Sequence, residues 1–365
     1  VRVLHVITGL AAGGAETQLR HLLRHSAADA EVIALTNPGA VADALRADGV
    51  PVSCVDMRGN RDLTALPRLV GRIRAGRFDV VHTHLYRAML FGRLAARLAG
   101  VRHVVATEHS LAATTIEGRP RDRAGVRALY LAAERLGRLT VAVSERVAGA
   151  MVEWGVPAER IRVVPNGIDL DAFAFDGAAR AEARARLGLA PEAFVVGAVG
   201  RLVPTKRFDV LVRALPAMPG AVLLIAGEGP LRTTLAELAA RLGVRERVLL
   251  AGEVDDMRGM LSAVDVLGSP STEETFGLAI LEALAAGLPT AYACCPALDG
   301  LPAGAAPRAR RADPTPEAFA AALTALRGDP AREVPPAARH YDIARAAAAI
   351  DALHSELVTG ARAAA

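Results

Sequence analysis

Short apolar runs rich in Val, Ile and Leu alternate along the chain with longer segments whose apolar residues recur at helical spacing. The first half carries such runs at Val1–Thr8, Glu31–Thr36, Val52–Met57, Asp79–His84, His103–Glu108 and Leu139–Ser144. The second half carries them at Phe194–Gly200, Ala221–Gly227, Val248–Ala251, Asp265–Ser269 and Pro289–Cys295. Near-continuous apolar runs predict strands buried on both faces, and strand–helix alternation predicts parallel sheets covered by helices on either side. Because the alternation occurs twice, the expected fold class is α/β, with two doubly wound, Rossmann-like domains facing across a cleft. The seam falls near Val163-Val164-Pro165-Asn166-Gly167-Ile168-Asp169, and a polar, alanine-rich stretch runs from there to Gly188. The expected division is residues 1–170, residues 171–341, and a C-terminal helix within 342–365 that packs back on the first domain. Ligands in such sheets bind beyond the carboxyl ends of the strands.

Length and composition agree with two globular cores: 365 residues, 52% hydrophobic and 22% charged. No apolar run approaches the roughly 20 residues of a membrane helix. Val1 to Leu10 reads as a strand and not as a signal peptide. Cys54, Cys294 and Cys295 show no zinc or redox spacing, which predicts reduced thiols and a cytoplasmic location. The charge is uneven. Residues 1–175 hold 23 arginines against 17 acidic residues, and residues 176–365 hold 20 basic against 22 acidic residues. Arginines cluster at Arg61, Arg68, Arg72, Arg74 and Arg77, and again at Arg119, Arg121, Arg123 and Arg127. Such clusters read either as solvated helix faces or as a peripheral contact with a membrane surface or an anionic acceptor, on the cytoplasmic side. No recognition motif or aromatic platform accompanies them, so nucleic acid is not an expected partner.

Against 42 arginines the chain has a single lysine, Lys206. It lies in Gly200-Arg201-Leu202-Val203-Pro204-Thr205-Lys206, directly after the apolar run Phe194–Val199. A glycine-containing loop with two cations at a strand end suits a phosphate group. Further on, Glu274 and Glu282 flank the start of an apolar helix whose Leu281, Leu284, Ala285 and Leu288 follow a buried-face pattern. Backbone amides of Thr275, Phe276, Gly277 and Leu278 at that helix start suit an anion, and a carboxylate suits paired sugar hydroxyls.

Other motifs carry less. His82 and His84 alternate on one strand and share a face, but no third ligand with sensible spacing appears, so no metal is expected. Asp169-Leu170-Asp171 imitates a metal-binding DxD and reads as a turn. Gly227-Glu228-Gly229 lacks the third glycine of a dinucleotide fingerprint, since Arg232 takes that place. Cys294 and Cys295 read as buried bulk.

The stretch Ser269 to Pro289 resembles the signature of the family 4 retaining glycosyltransferases, which have the GT-B fold. The similarity extends over most of the chain. It includes Gly13-Gly14-Ala15-Glu16, Val80-Val81-His82-Thr83-His84-Leu85, Ala106-Thr107-Glu108-His109-Ser110 and Val141-Ala142-Val143-Ser144-Glu145. It continues through Val164-Pro165-Asn166-Gly167-Ile168-Asp169, Gly200-Arg201 with Lys206, and Ala226-Gly227-Glu228-Gly229-Pro230-Leu231. One departure stands out: where family members often carry Gly-Gly-x-Pro-Glu, this chain has Cys295-Pro296-Ala297-Leu298-Asp299-Gly300-Leu301-Pro302.

The resemblance implies sugar transfer from a nucleotide diphosphate donor to a hydroxyl acceptor, with no cofactor. Arg201 and Lys206 would hold the diphosphate. Glu274, with the amides of Phe276 and Gly277, would bind the sugar hydroxyls, and Glu282 the ribose. Gly13 and Gly14 would let the first domain's backbone approach the phosphate and the reacting carbon, with Glu16 beside them in the substrate site; His109 would sit beside the donor sugar at the reaction centre, and His84 near the acceptor pocket. Two rivals remain open: a GT-B nucleotide-sugar epimerase or hydrolase, and a non-catalytic nucleotide-sugar-binding protein.

Overall fold

The computed structural model describes residues 1–11, 13–59, 62–328 and 332–363. Arg61, one of the clustered arginines, lies outside the described residues. The chain forms two compact units, one of residues 1–167 with 343–365, the other of residues 168–342.

The first unit contains a seven-stranded parallel sheet built from β1 (Arg2–Ile7), β2 (Asp29–Ala34), β3 (Val52–Cys54), β4 (Val80–His84), β5 (His103–Glu108), β6 (Leu139–Ala142) and β7 (Ile161–Val163). Their order is β3-β2-β1-β4-β5-β6-β7. The order reverses between β1 and β4, so the crevice of a doubly wound sheet lies beyond Ile7 and His84, which pair in register. The helix α1 (Gly14–His25) follows β1, and α2 (Tyr86–Leu98) follows β4. On one face, Val3, Val80, Val105, Leu139 and Val141 pack against Ile350, Leu353 and Val358 of a last helix. On the other, Leu4, Val6, Val81 and Val104 pack with Leu69 and Ile73. A strand with helices on both faces has no polar side to alternate with, which is why these runs are almost wholly apolar.

The second unit repeats the plan. Its six strands are β8 (Phe194–Val199), β9 (Ala221–Ala226), β10 (Val248–Gly252), β11 (Val266–Ser269), β12 (Thr290–Tyr292) and β13 (Ala309–Arg311), all parallel, in the order β10-β9-β8-β11-β12-β13. The switch point lies between β8 and β11, so the crevice is bounded by Gly200-Arg201 and Pro270-Ser271. The helix α3 (Leu278–Ala285) leads into β12. After this unit the chain re-enters the first through α4 (Ile343–Ala363). None of the described helices is long and apolar enough to cross a membrane.

The structure adds elements that the apolar pattern did not predict. β7 and β13 are three-residue edge strands carrying exposed arginines. A small hairpin pairs Thr115–Ile116 with Arg119–Pro120. The polar, alanine-rich stretch contains the helix Gly177–Arg186, capped by Asp176, whose carboxylate accepts from the amides of Ala178 and Ala179. Asp169 caps the short helix Leu170–Phe173 by accepting from Ala172 at 3.0 Å, so the DxD imitation is a helix start. The three cysteines are free, with Cys294 and Cys295 buried.

Candidate functional site

In the second unit, the loop after β8 is shaped by close backbone contact. The Leu202 amide donates to the Glu228 carbonyl at 2.8 Å and the Leu231 amide to the Leu202 carbonyl at 3.1 Å. Gly227 and Gly229 have φ of 138° and 158°, and a Cβ on either would run into the Gly200 or Leu202 backbone. The glycines of Gly227-Glu228-Gly229 therefore fit the Arg201 loop against the β9 end. Arg201 itself is exposed.

The turn Pro204–Lys206 is tied to the loop after β11. The Thr205 carbonyl accepts from the Thr272 amide at 3.0 Å and from the Ser271 hydroxyl at 3.2 Å. This brings Nζ of Lys206 to 2.5 Å from Oε1 of Glu274. The two side chains are 23% and 15% exposed, so the pair is reachable but partly desolvated. Gly277 caps α3 with φ 103°, and a Cβ there would come within 2.5 Å of Cys295 Sγ. Phe276 is buried, edge-to-face with Tyr341 at 5.1 Å, and its carbonyl accepts from the Ala297 amide at 2.9 Å. Cys295 is thus more than bulk: it closes the back of the helix start. The divergent segment Pro296–Asp299 is a short helix. Thr275 and Leu278 are partly exposed at the same helix start. Glu282 lies on α3 beyond the first turn, where burial pushes its carboxyl up to about 7, opposed in part by the Lys206 charge. The structure brings Lys206, Glu274 and the helix start together.

In the first unit, Gly13 is the N-cap of α1, and Glu16 in the first turn folds its carboxylate back over Gly13, where a Cβ would have to push that carboxylate aside. Five imidazoles meet on the sheet face that α4 covers. His5 and His82 lie side by side in register on β1 and β4. Nδ1 of His5 is 3.0 Å from Nε2 of His84, and Nδ1 of His84 is 3.2 Å from Nε2 of His109. Nδ1 of His82 is 3.0 Å from Nε2 of His354 on α4, and its Nε2 is 2.7 Å from the Thr107 hydroxyl. Burial depresses these rings: His5 to about 3, His109 and His354 to about 4, and His82 and His84 well below the usual histidine range.

Two corrections follow. The third imidazole that spacing failed to supply is His5: one nitrogen each of His5, His82 and His84 lies within 4.8 Å of the others. Both nitrogens of His82 and of His84 already have partners, so an ion there would have to displace those bonds. His84, expected near an acceptor, is only 3% exposed and pairs with other histidines. A small cavity of about 20 Å³, room for one water, touches His84, Thr107 and His109. His5, Glu108 and His354 escaped the sequence reading. The one signal for His5 was a polar residue inside an apolar strand.

Two doubly wound parallel-sheet units, the second with its cation and carboxylate at the switch point, define the GT-B class. The chain belongs to the family 4 glycosyltransferases: residues 12–172 match the Glycosyltransferase Family 4 model and residues 179–332 the Glycosyl transferases group 1 model. It is 34% identical over 260 residues to the Escherichia coli UDP-Gal:alpha-D-GlcNAc-diphosphoundecaprenol alpha-1,3-galactosyltransferase, covering 68% of this chain and 66% of that protein. It is 35% identical over 240 residues to the D-inositol 3-phosphate glycosyltransferase of Mycobacterium marinum, covering 62% of this chain and 50% of that protein. The matched part thus spans half to just under two-thirds of these relatives. Among solved structures, Anabaena HepE in complex with UDP and glucose shares the fold at a TM-score of 0.85 and 22% identity, covering 97% of this chain and 99% of that one. The sucrose-phosphate synthase of Thermosynechococcus elongatus does so at 0.78 and 19%, covering 99% and 100%.

Proposed function

We propose that the protein transfers a hexosyl group from a nucleoside diphosphate sugar to a hydroxyl acceptor, with retention at the anomeric carbon. The observation that carries this reading is the Lys206–Glu274 pair at the switch-point face of the second unit. Breaking the anomeric bond gathers negative charge on the departing phosphate. Arg201, Lys206 and the start of α3 place positive charge for it in advance. In this reading Glu274 then leaves Lys206 to the phosphate and accepts from the sugar hydroxyls, while Glu282 accepts from the ribose. The departing phosphate takes the acceptor's proton on the same face.

The cations are supplied by the chain, so the reading needs no metal ion, and a chelator should leave the rate unchanged. Both curated relatives are named for acceptors that carry phosphate. We infer an acceptor of that kind here, served by the first unit, whose exposed Arg68, Arg72, Arg74 and Arg77 also suit contact with an anionic membrane surface. The test is a panel of UDP- and GDP-sugars read by thermal shift, since a bound donor stabilises by mass action. Product analysis with phosphorylated hydroxyl acceptors follows, with the anomeric configuration read by NMR. Donor consumed equally fast without acceptor would move the reading to an epimerase or hydrolase.

A further inference from the structure

The five-imidazole cluster is not accounted for by donor binding. His5 and His84 are 1% and 3% exposed, so neither can meet a ligand directly. A neutral imidazole donates from one nitrogen and accepts at the other, so the His5–His84 and His84–His109 bonds must run in the same direction along the chain of rings. Nε2 of His109 is the outer end of that chain, and its Nδ1 is buried with no partner among the described residues. Neither nitrogen of this ring faces outward. The His109 imidazole thus points inward and ties down its own backbone.

A second clamp acts on the same loop. Glu108 is fully buried, and its Oε1 accepts from the amides of Ser110 at 2.8 Å and Leu111 at 3.0 Å and from the Ser110 hydroxyl at 3.2 Å. The residues leaving the carboxyl end of β5 are therefore held from inside by a carboxylate and by a row of imidazoles reaching back to β1.

We propose that His5 and His84 are positioning residues that, through His109, hold the 108–111 loop in the conformation the reaction uses. The inference rests on the functional reading above. It makes His109 an anchor and not an acid or base.

His84→Asn and His84→Gln divide the chain of rings at different bonds. Asn sets its amide near the Nδ1 position and keeps the His109 partner. Gln sets it near Nε2 and keeps only the His5 partner. The Asn variant, which gives up only the more distant His5 bond, should lose about three- to tenfold in kcat. The Gln variant should lose about ten- to a hundredfold in kcat with little change in donor KM, because a buried bond to the anchor is lost. Amide exchange at Ser110 and Leu111 in the ligand-free protein should be faster in the Gln variant than in the Asn variant. Equal exchange in the two variants overturns the proposal. So does faster exchange with an unchanged rate, which reduces the clamp to a structural one. If the His84 variants do not fold, His5→Asn and His5→Leu read the same contrast one bond further back. The exchange measurement needs no substrate, so it still decides whether the rings hold the loop if the wild-type protein transfers no sugar.

Discussion

Glu282→Gln offers the sharpest quantitative test of the second unit. The carboxyl sits partly buried on α3, and desolvation raises it from 4.5 to about 7. The folded state therefore prefers the neutral acid. Its contribution to stability is fully present below pH 4.5 and is lost as the pH rises through about 7. At about 1.4 kcal/mol per unit, the shift corresponds to at most about 3 kcal/mol lost across that window. Gln cannot ionise and has nearly the same shape. The variant should match the parent near pH 4.5 and exceed it by up to about 3 kcal/mol at pH 8. The assay is urea unfolding at a series of pH values, followed by amide exchange on β8 and β11 so that only the second unit is read. Lys206 lowers the Glu282 value, so Lys206→Met should enlarge the parent's loss of stability between pH 4.5 and 8. A difference between parent and Glu282→Gln that stays flat from pH 5 to 8 would refute the desolvated-carboxyl account.

At an effective dielectric of about 20, a charge contact at about 4 Å is worth roughly 4 kcal/mol, so Lys206→Ala should lower transfer by on the order of a hundredfold or more. Glu274→Ala should also impair transfer, and normal turnover by both variants would sink the site assignment. Gly277→Ala should cost about 1–3 kcal/mol from its φ of 103° and a further amount from the clash with Cys295. In urea unfolding, adding Cys295→Ala should recover only the second part. The depressed histidines act in the opposite sense to Glu282: their stabilisation is present above pH 6.5 and is lost as the pH falls toward 3 to 4. Protection factors on β1 and β4, taken relative to the intrinsic exchange rate at each pH, should therefore fall on acidification, a trend that His5→Asn weakens.

The strand runs were legible because buried parallel strands leave no polar alternation, so the pattern itself names them. β7 and β13 were not, because a three-residue edge strand with exposed arginines is held by its neighbour's backbone and not by its own apolar content. Lys206 stood out by composition, and Glu274 and Glu282 by spacing. That the lysine touches Glu274 depends on the Thr205–Thr272 bond between two loops, which no local pattern encodes. The histidine cluster was half visible. His82 and His84 share a strand face by period two, while His5 and His354 reach them only through sheet register and helix docking.

The first unit is sewn from two stretches of chain separated by the whole of the second. On the ribosome, Val3, Val80, Val105, Leu139 and Val141 emerge long before Ile350, Leu353 and Val358, which will cover them. The inserted unit has all its strands in hand while its predecessor still waits with an apolar face and His82 open to water. Nascent chains halted near residue 342 should hence be sticky and protease-sensitive in the earlier unit alone, and a separately supplied 343–363 peptide is the natural agent to close it.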